Sequence, residues 1–181
     1  MAKPSLNEAD NRRQLRMLSE RIIRAFPPRP PRGAILAGGD KGPWTLDQFH
    51  EEDLLNNLRD KLWTQIPPEI IARHLGDFVL LTADGFATYI PAWLLYALYN
   101  DNQGAEFIAH TFTPQEVEGS FKIRPLSVEM FRALDPTQRG ALRDFLIYLS
   151  EFHPDDYIAD RAAAAVDAIS DLIAIFKSAT P

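Results

Sequence analysis

The chain has 181 residues, a mass of 20.5 kDa and a net charge of −6. That length fits one domain burying roughly 70% of its unfolded surface, and 46% hydrophobic with 24% charged residues excludes a wholly disordered chain. Cysteine is absent, which excludes a disulfide framework, a thiolate nucleophile and a cysteine-ligated zinc site.

Ser5-Leu6-Asn7-Glu8 has the form of a capping box, and Leu15, Leu18, Ile22 and Phe26 follow at helical spacing. The pattern predicts an amphipathic helix over 6–26. Pro27-Pro28-Arg29-Pro30-Pro31-Arg32-Gly33 must end it, because proline lacks the amide donor and disfavours helix in the residue before it. This stretch reads as a stiff extended connector, although it also matches a PxxP ligand. Residues 34–44 read as a loop. The Gly38-Gly39-Asp40-Lys41-Gly42 run within it lacks the spacing and preceding strand of a phosphate loop.

Thr45-Leu46-Asp47-Gln48 repeats the capping-box pattern and opens a helix reaching towards Trp63. A short helix over 69–75 follows, with Gly76 as the expected C-cap. Phe78-Val79-Leu80-Leu81 fits either a short strand or a buried helical turn. Thr82 is the expected N-cap of the most apolar segment, 86–99, which should form the central buried helix. Pro91 lies inside it, so the helix either kinks there or breaks in two. Trp63, Tyr89 and Trp93 are assigned to the core, with the hydroxyls of Tyr96 and Tyr99 near the surface. Residues 105–112 give no clear signal. Residues 113–125 read as a loop with an extended piece at 120–123. A two-turn helix is expected over 127–134. Asp135-Pro136-Thr137-Gln138 then opens a longer one, with Asp at the N-cap, Pro at N1 and Gln at N3. A last helix over 156–177 carries Ile158, Ala162, Ala165, Val166, Ile169, Leu172, Ile173 and Phe176 as one stripe. The expected fold is all-α with room for one short strand pair, a compact helical bundle closed by an antiparallel helix hairpin.

Leu81-Thr82-Ala83-Asp84-Gly85-Phe86-Ala87-Thr88-Tyr89-Ile90-Pro91-Ala92, the preceding Trp63, and Leu134-Asp135-Pro136-Thr137-Gln138 carry a resemblance. The chain resembles a small bacterial family, a domain of unknown function with a Leu-Thr-Pro-Glu-Ala-Phe-x-Tyr-Tyr-Leu-Pro-Ala-like core and a later Leu-Thr-Pro-Gln-like helix start. Trp63, Leu81, Thr82, Phe86, Tyr89, Pro91, Ala92, Leu134, Pro136 and Gln138 match, whereas Ala83 and Asp84 replace Pro and Glu. The resemblance covers about 45–152. It implies a bacterial, soluble, mainly helical domain and no activity. The same residues read equally well as caps and core.

Charge divides the chain unevenly. Residues 1–33 hold eight basic and three acidic side chains, for +5, and residues 34–181 sum to −11. Two parts follow: a basic amphipathic helix with its proline-rich connector at 1–33, and one acidic helical domain at 34–181. The basic arm either packs on the acidic body, contacts an acidic partner, or exposes an apolar stripe that pairs two copies through the helix at 6–26. An acidic body repels nucleic acid and attracts basic proteins. The longest apolar run, 89–99, has 11 residues against the roughly 20 of a membrane-spanning helix. The N-terminus has no secretory-signal pattern, so a cytoplasmic location is expected.

Catalytic spacing is sparse. His50-Glu51-Glu52-Asp53 is the densest set of ligand-type residues, but only His50 and Asp53 share a helix face, too few to assign a metal. His153-Pro154-Asp155-Asp156 sets an imidazole beside carboxylates, although Asp155 or Asp156 serves equally as an N-cap. No catalytic residue, cofactor or metal is assigned. The expected function is a non-enzymatic bacterial protein-binding module of the immunity or antitoxin type, neutralising a basic partner. Glu51, Glu52, Asp53, Asp155 and Asp156 are its candidate contact residues. The alternatives are a small hydrolase-like enzyme using His and carboxylates, and a self-associating structural protein.

Overall fold

The computed structural model describes residues 8–36, 46–100, 102–117 and 120–178. The capping boxes at Ser5 and Thr45 and the glycine-rich run at 38–42 lie outside them. Eight α-helices and one hairpin appear among the described residues: α1 (Glu8–Ala25), α2 (Leu46–Leu58), α3 (Pro68–Arg73), α4 (Ala83–Tyr99), α5 (Asn102–Phe112), β1 (Gln115–Val117), β2 (Ser120–Lys122), α6 (Pro125–Ala133), α7 (Pro136–Phe152) and α8 (Asp156–Ser178). The fold is all-α, as the periodicity predicts. None of the helices is long and apolar enough to cross a membrane.

The apolar segment forms α4, one helix that continues through Pro91 and buries nearly every position from Gly85 to Leu94. It is apolar on all sides, and α1, α3, α5 and α6 accordingly pack around it. The α7–α8 hairpin closes the bundle, with α1 on α7 and α5 on α8. Phe78, Phe86, Phe112, Phe131 and Phe176 make a ladder of ring contacts through the core, with centroids 6.2–6.3 Å apart. Trp93 joins Phe78 edge-on at 6.3 Å. All but the stacked Phe131–Phe176 pair are tilted or edge-to-face, an arrangement that brings the positive ring edge towards the negative face.

Buried polar ends of the aromatics are all matched. Trp63 Nε1 donates to the Phe26 carbonyl and Trp93 Nε1 to the His74 carbonyl, each at 2.9 Å. The Tyr89 hydroxyl lies 3.0 Å from the Leu58 carbonyl oxygen and 3.2 Å from that of Lys61. Side chains thus tie α4 to the irregular segments around it.

The basic arm packs on the body. Leu18, Ile22, Ala25 and Phe26 join the same core as α4 and α7, leaving Met17 and Ile23 exposed. Arg21 pairs with Asp144 across the α1–α7 contact, and the Tyr148 hydroxyl donates to Asn11 at 2.9 Å. The proline-rich connector is strapped to the start of α4. The Asp84 carboxylate accepts from the amides of Arg32 (2.7 Å) and Gly33 (3.3 Å), and Thr82 N donates to the Ile35 carbonyl at 2.9 Å. Thr82 caps α4, accepting from Gly85 N at 3.0 Å.

Three local expectations are refined. Gly76 does not cap α3; His74 does, and its φ of −117° needs no glycine. The 78–81 segment is a 3-10 turn over Asp77–Leu80, after which Leu81 bridges to Leu36. The extended piece at 120–123 acquires a partner in β1, with Gln115 opposite Lys122 and Val117 opposite Ser120. The Asp135–Gln138 capping box forms in full, Asp135 Oδ1 accepting from Thr137 N and Gln138 N at 2.8 and 2.9 Å.

Candidate functional site

Helix α2 meets the body through a His–Asp cluster. The turn after α3 brings His74 and Asp77 together, three residues apart, with Asp77 N donating to the His74 carbonyl at 3.1 Å. Within that turn Asp77 Oδ2 lies 2.7 Å from His74 Nδ1. From α2, Asp53 Oδ2 lies 2.9 Å from His74 Nε2 and 3.1 Å from Arg73 Nη1. The His74 side chain has no solvent exposure. Both ring nitrogens therefore face carboxylates, and which of them donates depends on the tautomer. The Arg73 hydrogen bond, reinforced by His74 against partial desolvation, holds the Asp53 carboxyl below its ordinary pKa. His50, one turn before Asp53 on α2, reaches the same centre. Its Nδ1 stands 3.7 Å from Asp77 Oδ2 and its ring meets His74 edge-on, centroids 6.4 Å apart.

A second feature is an open groove of about 780 Å³ between α8 and the hairpin–α6 segment. Ile123, Val128, Ala164, Ala168 and Leu172 supply apolar surface. Asp160, Asp167 and Asp171 line it along α8 at spacings of seven and four, which places them in one row. None of the three has an ion-pair partner among the described residues. Like charges at i, i+4, as at Asp167 and Asp171, lower helix stability by a few tenths of a kcal/mol. Lys122 and Arg161 also line the groove; Arg161 is held over the Tyr157 ring at 5.0 Å and near His110 Nδ1 at 3.2 Å. Burial, with the charges of Arg161 and Arg124, pushes the His110 imidazole below its ordinary pKa.

The residues singled out from sequence fall in different places. Asp53 sits inside the His–Asp cluster, tied to Arg73 and His74, and Glu52 is exposed on α2. Glu51 is half-buried on the same helix. Asp155 caps α8, its Oδ1 accepting from Tyr157 N at 2.9 Å, and Asp156 is exposed in the first turn. His153 is buried, and its Nδ1 accepts from Asp155 N at 3.1 Å, so that lone pair is already engaged. The cleft of about 350 Å³ beside His153 is lined by Tyr99, Tyr148 and neighbours, with no carboxylate side chain.

The capped apolar α4 and the boxed start of α7 place the two stretches that carry the resemblance at structural positions, as N-caps and core. The chain belongs to a family of unknown function (DUF6714), matched over residues 45–169. No curated protein and no solved structure is significantly similar to it. The matched span reaches further than the resemblance, into α8, and includes the His–Asp cluster with Asp160 and Asp167 of the groove. Helix α1 and the proline-rich connector fall outside it.

Proposed function

We propose that the protein is a protein-binding module whose α8 groove takes a basic amphipathic helix from its partner. One observation carries this reading: a row of aspartates beside an apolar groove, with no ion-pair partner among the described residues. Desolvated apolar contacts would hold the partner's nonpolar face, and the aspartates would select Lys or Arg on its flank and speed encounter. The −11 charge of residues 34–181 supports the same sign of partner. In this reading the chain is a bacterial cytoplasmic protein of the immunity or antitoxin type. The contact acids in this reading are Asp160, Asp167 and Asp171 in place of Glu51, Glu52, Asp53, Asp155 and Asp156, because Asp53 already serves Arg73 and His74 and Asp155 caps α8.

The test uses a fluorescent 18-residue Leu/Lys amphipathic peptide, with a Leu/Glu peptide as control, in binding titrations at two salt concentrations. The expected result is salt-sensitive binding of the basic peptide only, weakened at least about tenfold by Asp167→Lys with Asp171→Lys, and abolished by Ala168→Trp, which fills the groove. Binding that survives these changes but falls in the Glu51→Ala, Glu52→Ala, Asp53→Ala triple variant returns the interface to α2. Absence of binding refutes the reading.

A further inference from the structure

The His–Asp cluster has a use that is independent of the α8 groove. One donor atom each from His50, His74 and Asp77 lies within 4.8 Å of the other two. We propose that these three residues bind a divalent transition-metal ion of the zinc type. His74 Nδ1, an Asp77 carboxylate oxygen and His50 would be its ligands, and Asp53 would position His74.

The geometry comes close to what the ion needs. Bonds of about 2.0–2.1 Å in a tetrahedral site put neighbouring donors about 3.3 Å apart. Asp77 Oδ2 stands 2.7 Å from His74 Nδ1 and 3.7 Å from His50 Nδ1, on either side of that value. The third separation, His50 to His74, is within 4.8 Å, so binding an ion requires the exposed His50 side chain to close on the other two donors. The donor set is two imidazoles and one carboxylate. That mixture suits zinc and its neighbours, whereas magnesium and calcium take mostly oxygen.

The second carboxylate, Asp53, gives the arrangement its direction. Metal-ligating histidines donate their other ring N–H to a carboxylate, which fixes tautomer and orientation. His74 has that partner in Asp53, 2.9 Å from Nε2, so Nδ1 is left to face Asp77 and His50. The main chain of His74 is also anchored, since its backbone carbonyl accepts from Trp93 Nε1 at 2.9 Å. His50 is 59% exposed, so the fourth coordination position would open towards solvent on its side. Three protein ligands with an accessible position is the composition of a site that binds and polarises water or a small anion.

Both halves come from the same short pattern. His50-Glu51-Glu52-Asp53 and His74-Leu75-Gly76-Asp77 are each His-x-x-Asp, and the fold crosses them: His74 meets both aspartates while His50 leans on Asp77.

The experiment is a titration of the chelator-treated full chain with Zn²⁺ by calorimetry, with the visible absorption of a Co²⁺-loaded sample and the melting temperature as second and third readouts. The proposal expects one ion per chain, a raised melting temperature, and a Co²⁺ spectrum lost in His50→Ala and in Asp77→Asn. Asp53→Asn should bind about 10- to 100-fold more weakly. His110→Gln should bind as the unaltered chain does. His50 is exposed, so its replacement leaves the core in place, which circular dichroism verifies. Absence of saturable binding at one per chain overturns the proposal, as does undiminished binding by His50→Ala or loss in His110→Gln alone.

Discussion

Gly85→Ala should destabilise the protein although it introduces a better helix former. Gly85 sits in the first turn of α4, where alanine is intrinsically favoured by about 1 kcal/mol. A Cβ there would stand 2.4 Å from the Ile35 carbonyl oxygen, a backbone atom with no rotamer to move to. Relief of about 1 Å must come from lifting the connector off α4. That movement strains Thr82 N to Ile35 O at 2.9 Å, Thr82 Oγ1 to Ala34 O at 2.6 Å and Asp84 to Arg32 N at 2.7 Å. Each such bond contributes about 0.5–1.5 kcal/mol net. Losing all three and gaining the alanine preference leaves a deficit of about 2 kcal/mol, or about 4–8 °C in melting temperature for a chain this long. Urea unfolding followed by circular dichroism measures it. A Gly85→Ala variant as stable as the parent, or more so, would show that the connector does not press on α4, and the strap would have to be abandoned.

Two further outcomes follow from buried polar groups. Thr88 Oγ1 is buried in α4 without a hydrogen-bond partner; Thr88→Val keeps the shape, removes the stranded hydroxyl and should add about 1 kcal/mol in the same urea assay, whereas a loss of that size would reveal a partner. His110 is held below its ordinary pKa chiefly by burial, then by Arg161 and Arg124, with Glu106 opposing. The folded state therefore binds fewer protons on His110 than the unfolded chain does, so its contribution is full above the ordinary histidine pKa and is lost as pH falls through the folded value. Stability measured from pH 7.5 downwards should fall more steeply in the parent than in His110→Gln, and parallel curves would contradict the assignment.

Much of the fold is legible because its signals are local. The box at Asp135–Gln138, the cap at Thr82 and the stripe on α8 each need only a few neighbouring residues, and each forms as read. Where local pattern leaves two structures open, the deciding partner lies far along the chain. Phe78 to Leu81 has no periodicity of its own; Leu36 bridges Leu81 and Trp93 packs on Phe78. Gly76 looks like a helix stop because glycine usually is one. Its small size instead keeps it clear of Phe107, whose ring lies 3.3 Å from where a Cβ would be.

The site follows the same rule more severely. Seen alone, His50 and Asp53 are two ligand-type residues on one face of an exposed helix, and two cannot hold an ion. His74 and Asp77, in the next segment, lie in what reads as a helix end. A repeat of His-x-x-Asp was present in the sequence as a signal, but its meaning depends on docking α2 against the 3-10 turn, which no short-range pattern specifies. The acidic row on α8 is a spacing that sequence does contain, since Asp160, Asp167 and Asp171 recur on one helical face. What turns a solvated face into a groove is the opposite wall, supplied by Ile123 and Val128 from the hairpin and α6. Glu51, Glu52 and Asp53 stand out in the sequence because they are contiguous. In the folded chain Asp53 is engaged by Arg73 and His74, while the dispersed aspartates of α8 line an open apolar groove with no ion-pair partner among the described residues.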